Sequence, residues 1–202
     1  MAEIINKETI DQLMQINGEV RGVVLKTDEE YILKEKGRAG IEQVEQKLKE
    51  LGHPIKYEEI RTMDFYPVGL RIASLLTIKE VFDFNDKEIY NMGVFATKMS
   101  LIIKLFVKYF PSLRRVVINE SPKMWRKHWT IGELIPVELN EKKKYAILMV
   151  KDFDLHPIYC PYLAGYFAGI LHMLVKSLKI DSQETKCSFK GASYHEFLIK
   201  WR

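Results

Sequence analysis

The organisation of the chain turns on Pro161-Tyr-Leu-Ala-Gly165-Tyr-Phe-Ala-Gly169-Ile-Leu-His172-Met-Leu-Val-Lys-Ser-Leu178. The residues of this stretch up to Val175 belong to a run between Asp154 and Lys176 that holds no Asp, Glu, Lys or Arg. Roughly 18 uncharged residues is the length at which a membrane span must be considered. His156, Pro157, Pro161, three tyrosines and His172 interrupt this run, and a helix cannot begin cleanly before Pro161. Too little apolar helix remains to cross a bilayer, so the stretch reads as a buried helix over 161–178 and not as a membrane span. Gly165 and Gly169 stand four apart with Ala168 beside them, which leaves one helix face without side chains. Two interior glycines cost about 1 kcal/mol each relative to alanine, so a close approach of something compensates. Sheet backbone, the matching helix of a second subunit (a homodimer), or an apolar small molecule would each fill the gap.

Strand patterns flank this helix. Residues 130–139 and 144–153 are strand-like and separated by Asn140-Glu-Lys-Lys. In the second, Tyr145, Ile147 and Met149 alternate with Ala146, Leu148 and Val150, so both faces are apolar and the strand is central. Beyond the helix, Ser182–Lys190 and Ser193–Trp201 form a hairpin turning near Gly191.

The first half reads as helices. Thr27 to Glu30 has the form of a capping box, with Gly37 ending its helix. Ile41, Val44, Leu48 and Leu51 then recur at helical spacing until Gly52. Pro67 suits a first helical position. Asn85 with Glu88 opens a further helix carrying Ile89, Met92, Ala96, Met99, Ile103 and Phe106 on one stripe, closed by Pro111. Helices followed by an antiparallel sheet of about four strands, with an apolar helix between its two hairpins, is an α+β order. The expectation is one domain over 1–202, helical over 1–120 and sheet plus helix over 121–202.

Composition fits this. Of 202 residues 47% are hydrophobic and 29% charged, ordinary values for a packed domain. The net charge of +4, from 31 basic and 27 acidic residues, is too balanced to argue for nucleic acid. The two cysteines, Cys160 and Cys187, make no disulfide framework and suit a reducing compartment. With no secretory leader pattern at Met1, a cytoplasmic location is expected.

No Gly-x-Ser-x-Gly, P-loop, Gly-x-Gly-x-x-Gly or His-Glu-x-x-His pattern is present, so no catalytic residue is named. His172 falls seven residues after Gly165, on the glycine face; Gly165, Phe167, Gly169 and His172 are therefore the candidate ligand-binding residues. Cys187 and His195 flank Gly191 symmetrically and are candidate metal ligands. With Cys160 and His156 they complete a Cys₂His₂ set, although the spacing is not that of a zinc finger and ordinary half-buried thiols explain it as well. Lys123-Met-Trp-Arg-Lys-His-Trp129 interleaves basic and aromatic residues. That pattern suits a single-strand nucleic-acid platform or a strand edge with two tryptophans turned inward; the balanced charge favours the second.

Tyr162 to Leu171, then Glu184-Thr-Lys-Cys187, Gly191 and Glu196-Phe-Leu-Ile199 resemble the end of the vinyl-four-reductase (4-vinyl reductase) domain. Its superfamily includes haem nitric-oxide/oxygen-binding domains and TRAPP transport-complex subunits. Gly18 to Gly22, Gly37 through Leu48, and Phe65-Tyr-Pro67 also look like that group. The resemblance implies an α+β domain enclosing an apolar pocket, serving as a small-molecule sensor, a scaffold or dimerisation module, or an accessory protein of tetrapyrrole metabolism. Relatives of the vinyl-four-reductase type often carry a second cysteine where this chain has His195. The haem branch holds propionates with Tyr-x-Ser-x-Arg; here Phe110-Pro-Ser112-Leu-Arg114 keeps the serine and arginine only, and no histidine stands a few turns ahead. The departures from the haem branch count against haem as the cofactor; His195 in place of the second cysteine leaves a Cys187–His195 pairing but counts against a two-thiol site. The leading expectation is a non-enzymatic ligand-binding or sensory domain.

Overall fold

The computed structural model describes residues 5–99, 112–175, 177 and 179–202. Ile103, Phe106, Phe110, Pro111, Lys176 and Leu178, used in the readings above, lie outside them.

Helix α1 (Lys7–Leu13) is capped by Asn6, whose Oδ1 accepts from the Thr9 amide at 2.9 Å. Strand β1 (Glu19–Arg21) pairs antiparallel with β2 (Phe65–Pro67), a short ribbon that the sequence reading does not anticipate. Helix α2 (Gly22–Glu50) starts five residues earlier than Thr27. Thr27 is therefore interior to the helix and its hydroxyl donates to the Val24 carbonyl at 2.7 Å, so the expected capping box at 27–30 does not form. The early start depends on Gly22, since a Cβ there would collide with the Arg61 carbonyl. Gly37 breaks the helical path without ending it, at φ 69° and ψ −171°.

Helix α3 (Val68–Val81) runs through the middle of the helical region, with Ile72, Ala73, Leu75 and Ile78 fully buried. Helix α4 (Asp86–Met99) opens with the reciprocal capping box expected at Asn85 and Glu88: Asn85 Oδ1 accepts from the Lys87 amide, and Glu88 from the Asn85 amide. A π-helical turn (Arg115–Glu120) leads into α5 (Ser121–His128), where the sequence pattern favours a strand edge. Pro122 starts this helix, and alternation of its basic and apolar residues follows the helical turn, with Trp125 on the buried side.

Strands β3 (Glu133–Asn140), β4 (Tyr145–Lys151), β5 (Ile180–Lys186) and β6 (His195–Trp201) form an antiparallel sheet in the order β3-β4-β6-β5. β4 is central, as its two apolar faces require: Ala146, Leu148 and Val150 are buried, and Tyr145, Ile147 and Met149 are half-buried. Helix α6 (Tyr159–Val175) connects the hairpins and lies on the sheet, with Phe167 edge-on to Phe197 at 5.1 Å. No helix of the described residues is long and apolar enough to cross a membrane.

Candidate functional site

The glycine face of α6 is covered from within the chain. A Cβ on Gly165 would collide with the carbonyl oxygen of Tyr90, and one on Gly169 with the Thr97 hydroxyl. Gly93 on α4 answers in kind, its missing Cβ facing the carbonyl of Tyr162. The two helices thus pack backbone to backbone, and α4 fills the gap for which the sequence offers sheet, second subunit or ligand. Gly165 and Gly169 accordingly do not line a pocket, and the homodimer built on that face loses its surface. His172 is exposed and lines neither of the two pockets formed by the described residues. Phe167 alone of that predicted set lines the cavity described next.

On the other side of α6 lies an apolar cavity. Val23, Val24 and Thr27 of α2, Trp125, His128 and Trp129 at α5, Leu134 of β3, Leu148 of β4, and Tyr162, Tyr166 and Phe167 of α6 contribute to its wall. Its volume is about 90 Å³, which makes it narrow.

Its floor is an aromatic cluster. Trp125 and Trp129 stack at 5.7 Å and 21°, and Phe153 meets both edge-on at 5.1 and 5.2 Å. Trp125 Nε1 donates to the carbonyls of Ile131 and Gly132, which fixes the indole. Both tryptophans are buried, so neither ring is presented for stacking on a base.

The one imidazole on the wall is His128. Its Nδ1 lies 2.8 Å from the carbonyl oxygen of Met124, and since a carbonyl can only accept, Nδ1 carries the proton. Nε2 of the neutral ring is left as a lone-pair donor. Burial pulls the His128 pKa below its ordinary value, against the opposing pull of that hydrogen bond, so the neutral form prevails at neutral pH. A backbone acceptor on one ring nitrogen is the usual arrangement that orients the other toward a metal.

Behind Tyr162 is a buried ion pair that no sequence pattern reveals. Arg71 and Asp28 are essentially unexposed and 2.9 Å apart, and the guanidinium lies 4.9 Å from the Tyr162 ring centroid. Burial raises the Asp28 carboxyl to about 7 despite Arg71.

A second site closes the other end of α6. Cys160 in its first turn, Glu184 of β5, Cys187 and His195 bring one ligand atom each within 4.8 Å of one another. The two Sγ atoms are 3.7 Å apart, His195 Nδ1 is 2.8 Å from Glu184 Oε1, and His195 Nε2 is 2.8 Å from Ser188 Oγ. Cys187 and His195, the predicted pair, do meet, and Cys160 joins them; Glu184 takes the place expected for His156. His156 instead accepts from the Ile158 amide through Nδ1. Burial, then the Glu184 charge, push the Cys160 thiol up. Burial alone would raise Glu184, but hydrogen bonds from His195 and the two thiols bring its net shift down. Ser188, His195 and Glu184 also have the hydrogen-bond order of a hydrolytic triad. The amides of Lys190, Gly191 and Ala192 are, however, all bonded to the carbonyls of Cys187 and Ser188, which leaves them no role as oxyanion donors.

Ser112 and Arg114 do not reach the cavity wall; Ser112 Oγ accepts from the Arg115 amide at 3.3 Å and Arg114 is exposed.

No family model and no curated protein matches the sequence. Solved structures do match. An H-NOX protein from S. oneidensis in the Fe(II)NO ligation state superposes with a TM-score of 0.67 at 15% identity, over 90% of this chain and 99% of that one. The SO2144 H-NOX domain from Shewanella oneidensis in the Fe(II)CO state gives 0.68 at 12% identity, covering 90% and 98%. A further structure, described as bearing on the molecular mechanism of H-NOX activation, gives 0.60 at 19% identity, covering 90% and 96%. At such identity the likeness is one of fold: this chain has the haem-NO-binding fold, the one of the three related groups named from sequence that these neighbours represent. The expectation against haem is corrected by it, because neighbours with this fold are described with haem and with iron-bound gases. The sequence reading looks for a histidine ahead of Ser112, whereas the histidine on the cavity wall, His128, comes after it.

Proposed function

We propose that this chain is a non-enzymatic sensory domain that binds a small molecule in the cavity between α2, α5, α6 and the sheet, with haem as the ligand the wall suits. The observation that carries this is His128, which combines a place on an apolar wall, a proton fixed on Nδ1 by the Met124 carbonyl, and a neutral ring with Nε2 as donor. Trp129, Leu134, Leu148 and Phe167 would enclose the apolar ring, and His128 would hold the iron. Haem, when bound, supplies an iron centre that exchanges small gaseous ligands. The protein's own part is to exclude water with this aromatic wall and to fix the imidazole tautomer. The narrowness of the cavity means that its walls part on binding; α5, a short helix hinged on a π-helical turn, is the element best placed to move. Protein purified from its own host, examined by native mass spectrometry and absorption spectroscopy, tests the reading. A bound mass with a porphyrin spectrum is expected, and colourless protein carrying no small molecule would sink it.

A separate observation favours a metal ion at the second site. Two thiolates at about 2.3 Å from a tetrahedral zinc lie about 3.8 Å apart, and Cys160 and Cys187 stand at 3.7 Å. Glu184 and His195 supply the other two donors, and Ser188 accepts the remaining imidazole proton. Four protein donors make a closed site, so zinc here would pin the start of α6 to the β5–β6 hairpin. Metal analysis of the purified chain is expected to find one zinc, lost in Cys187→Ser.

A further inference from the structure

Arg71 is wholly buried on α3 and has more hydrogen-bonding capacity than its surroundings use. Its Nη2 donates to Asp28 Oδ1 at 2.9 Å, while Nε and Nη1 have no partner among the described residues. Asp28 Oδ2 and the hydroxyl of Tyr159, which interacts with this charge, are unpartnered too. Four of the seven buried side-chain N and O atoms without a partner among the described residues thus gather around one guanidinium. A pair kept for stability alone would have those groups filled, because an unmet buried donor is costly. We propose that Arg71 is the anchor for a carboxylate of the cavity ligand, reached when Tyr162 turns out of the wall. This rests on the haem reading above and adds the residue that would take a propionate.

Three features support it. Only one side chain stands between the cavity and the charge: Tyr162 lines the cavity, and the Arg71 guanidinium lies 4.9 Å from the centroid of the same ring. The wall itself offers an anion no cation, since the described residues that line it include neither lysine nor arginine. The present counter-charge can also give way. Burial holds the Asp28 carboxyl up at about 7, so Asp28 takes a proton as a second carboxylate arrives, and the guanidinium, which stays charged, changes partner. The other groups facing Asp28 are Tyr57, Tyr159 and Tyr162, all kept neutral by burial. Arg21 is a competing cation, because its charge acts on His128. It is half-buried and lies 4.7 Å from the Phe65 ring centroid, so it needs no anion to neutralise it.

Haemin and its dimethyl ester, which keeps the ring and the iron but has no carboxylate, are titrated into the full chain and followed by absorption. Wild type is expected to bind haemin about 10- to 100-fold tighter than the ester, the worth of a charge-assisted hydrogen bond. Arg71→Met is expected to bring the two affinities together, and Arg21→Gln to keep them apart. Asp28→Asn removes the competing carboxylate but keeps an acceptor for Arg71. It is therefore expected to bind haemin tighter than wild type with the ester unchanged, whereas a merely structural pair would give a loss. Equal affinities in wild type, an unchanged ratio in Arg71→Met, a ratio lost in Arg21→Gln alone, or no gain in Asp28→Asn would overturn the anchor and leave the haem reading standing. Failure of both compounds to bind wild type would overturn both. Circular dichroism checks the fold of each variant, and if Arg71→Met is unfolded, the wild-type ratio and the Asp28→Asn affinity decide.

Discussion

Replacing Gly165 by alanine adds one methyl group where α6 meets the backbone of α4. On an ordinary buried helix this substitution stabilises by about 1 kcal/mol through helix propensity. Here the methyl would collide with the Tyr90 carbonyl, which is backbone and cannot rotate aside. Overpacking costs about 1–3 kcal/mol, and the upper value applies because Gly93 holds the pair equally close from the other side. The two terms leave a net loss of about 2 kcal/mol, equivalent for a chain of this size to a melting midpoint about 4–8 °C lower. Thermal unfolding followed by far-UV circular dichroism reads it directly. Gly165→Ala and Gly93→Ala together are expected to cost less than their sum, since helices already separated by one methyl accept the other more easily. A midpoint that rises for Gly165→Ala, as propensity alone dictates, would refute the backbone contact.

Other consequences follow from the two sites and the core between them. Asp28→Ala strands the Arg71 charge at no exposure and is expected to cost about 3–5 kcal/mol in denaturant unfolding, with Arg71→Met recovering most of it; a loss under about 1 kcal/mol would show that the pair is not buried as described. His128 is held below its ordinary pKa, so between that value and its depressed one the unfolded chain binds more protons than the folded one. The stability from this neutral ring is present above the unfolded value and is lost as pH falls through the window. His128→Gln should flatten that slope, and an unchanged slope would remove the argument for a buried neutral ring. Zinc affinity should fall by up to about 100-fold per pH unit on acidification, as two thiols regain their protons; competition titrations at several pH values measure it, and a pH-independent affinity would show that the thiols are not ligands.

The central strand and the closing hairpin are legible because local patterns govern them. β4 alternates apolar residues on both faces, and Gly191 supplies a left-handed turn. Thr27 misleads because a capping box is a local signal, whereas the start of α2 is decided by a contact with Arg61, a residue distant in sequence. The glycine face of α6 is visible in the sequence, but its partner is not: a helix face records how closely something approaches, not what does so, and Gly93 stands without a second glycine to mark it. His128 lies inside the basic–aromatic stretch, where a strand period for Trp125 and Trp129 gives it no wall to share with α6; only the helical period does. The thiol cluster is half legible. Cys187 and His195 follow from hairpin symmetry and Cys160 is named beside them from the sequence, while Glu184, in the place expected for His156, joins only through the docking of α6 on the sheet.

The most direct test of the cavity reading is a haemin titration of the purified chain, followed by absorption spectroscopy, for wild type and His128→Gly. One-to-one saturable binding with the spectrum of a histidine-ligated haem is predicted for wild type. That spectrum should be lost in His128→Gly and restored by added imidazole. Absence of saturable binding, or a variant whose spectrum matches wild type, would contradict the assignment of the cavity and of His128 to the haem.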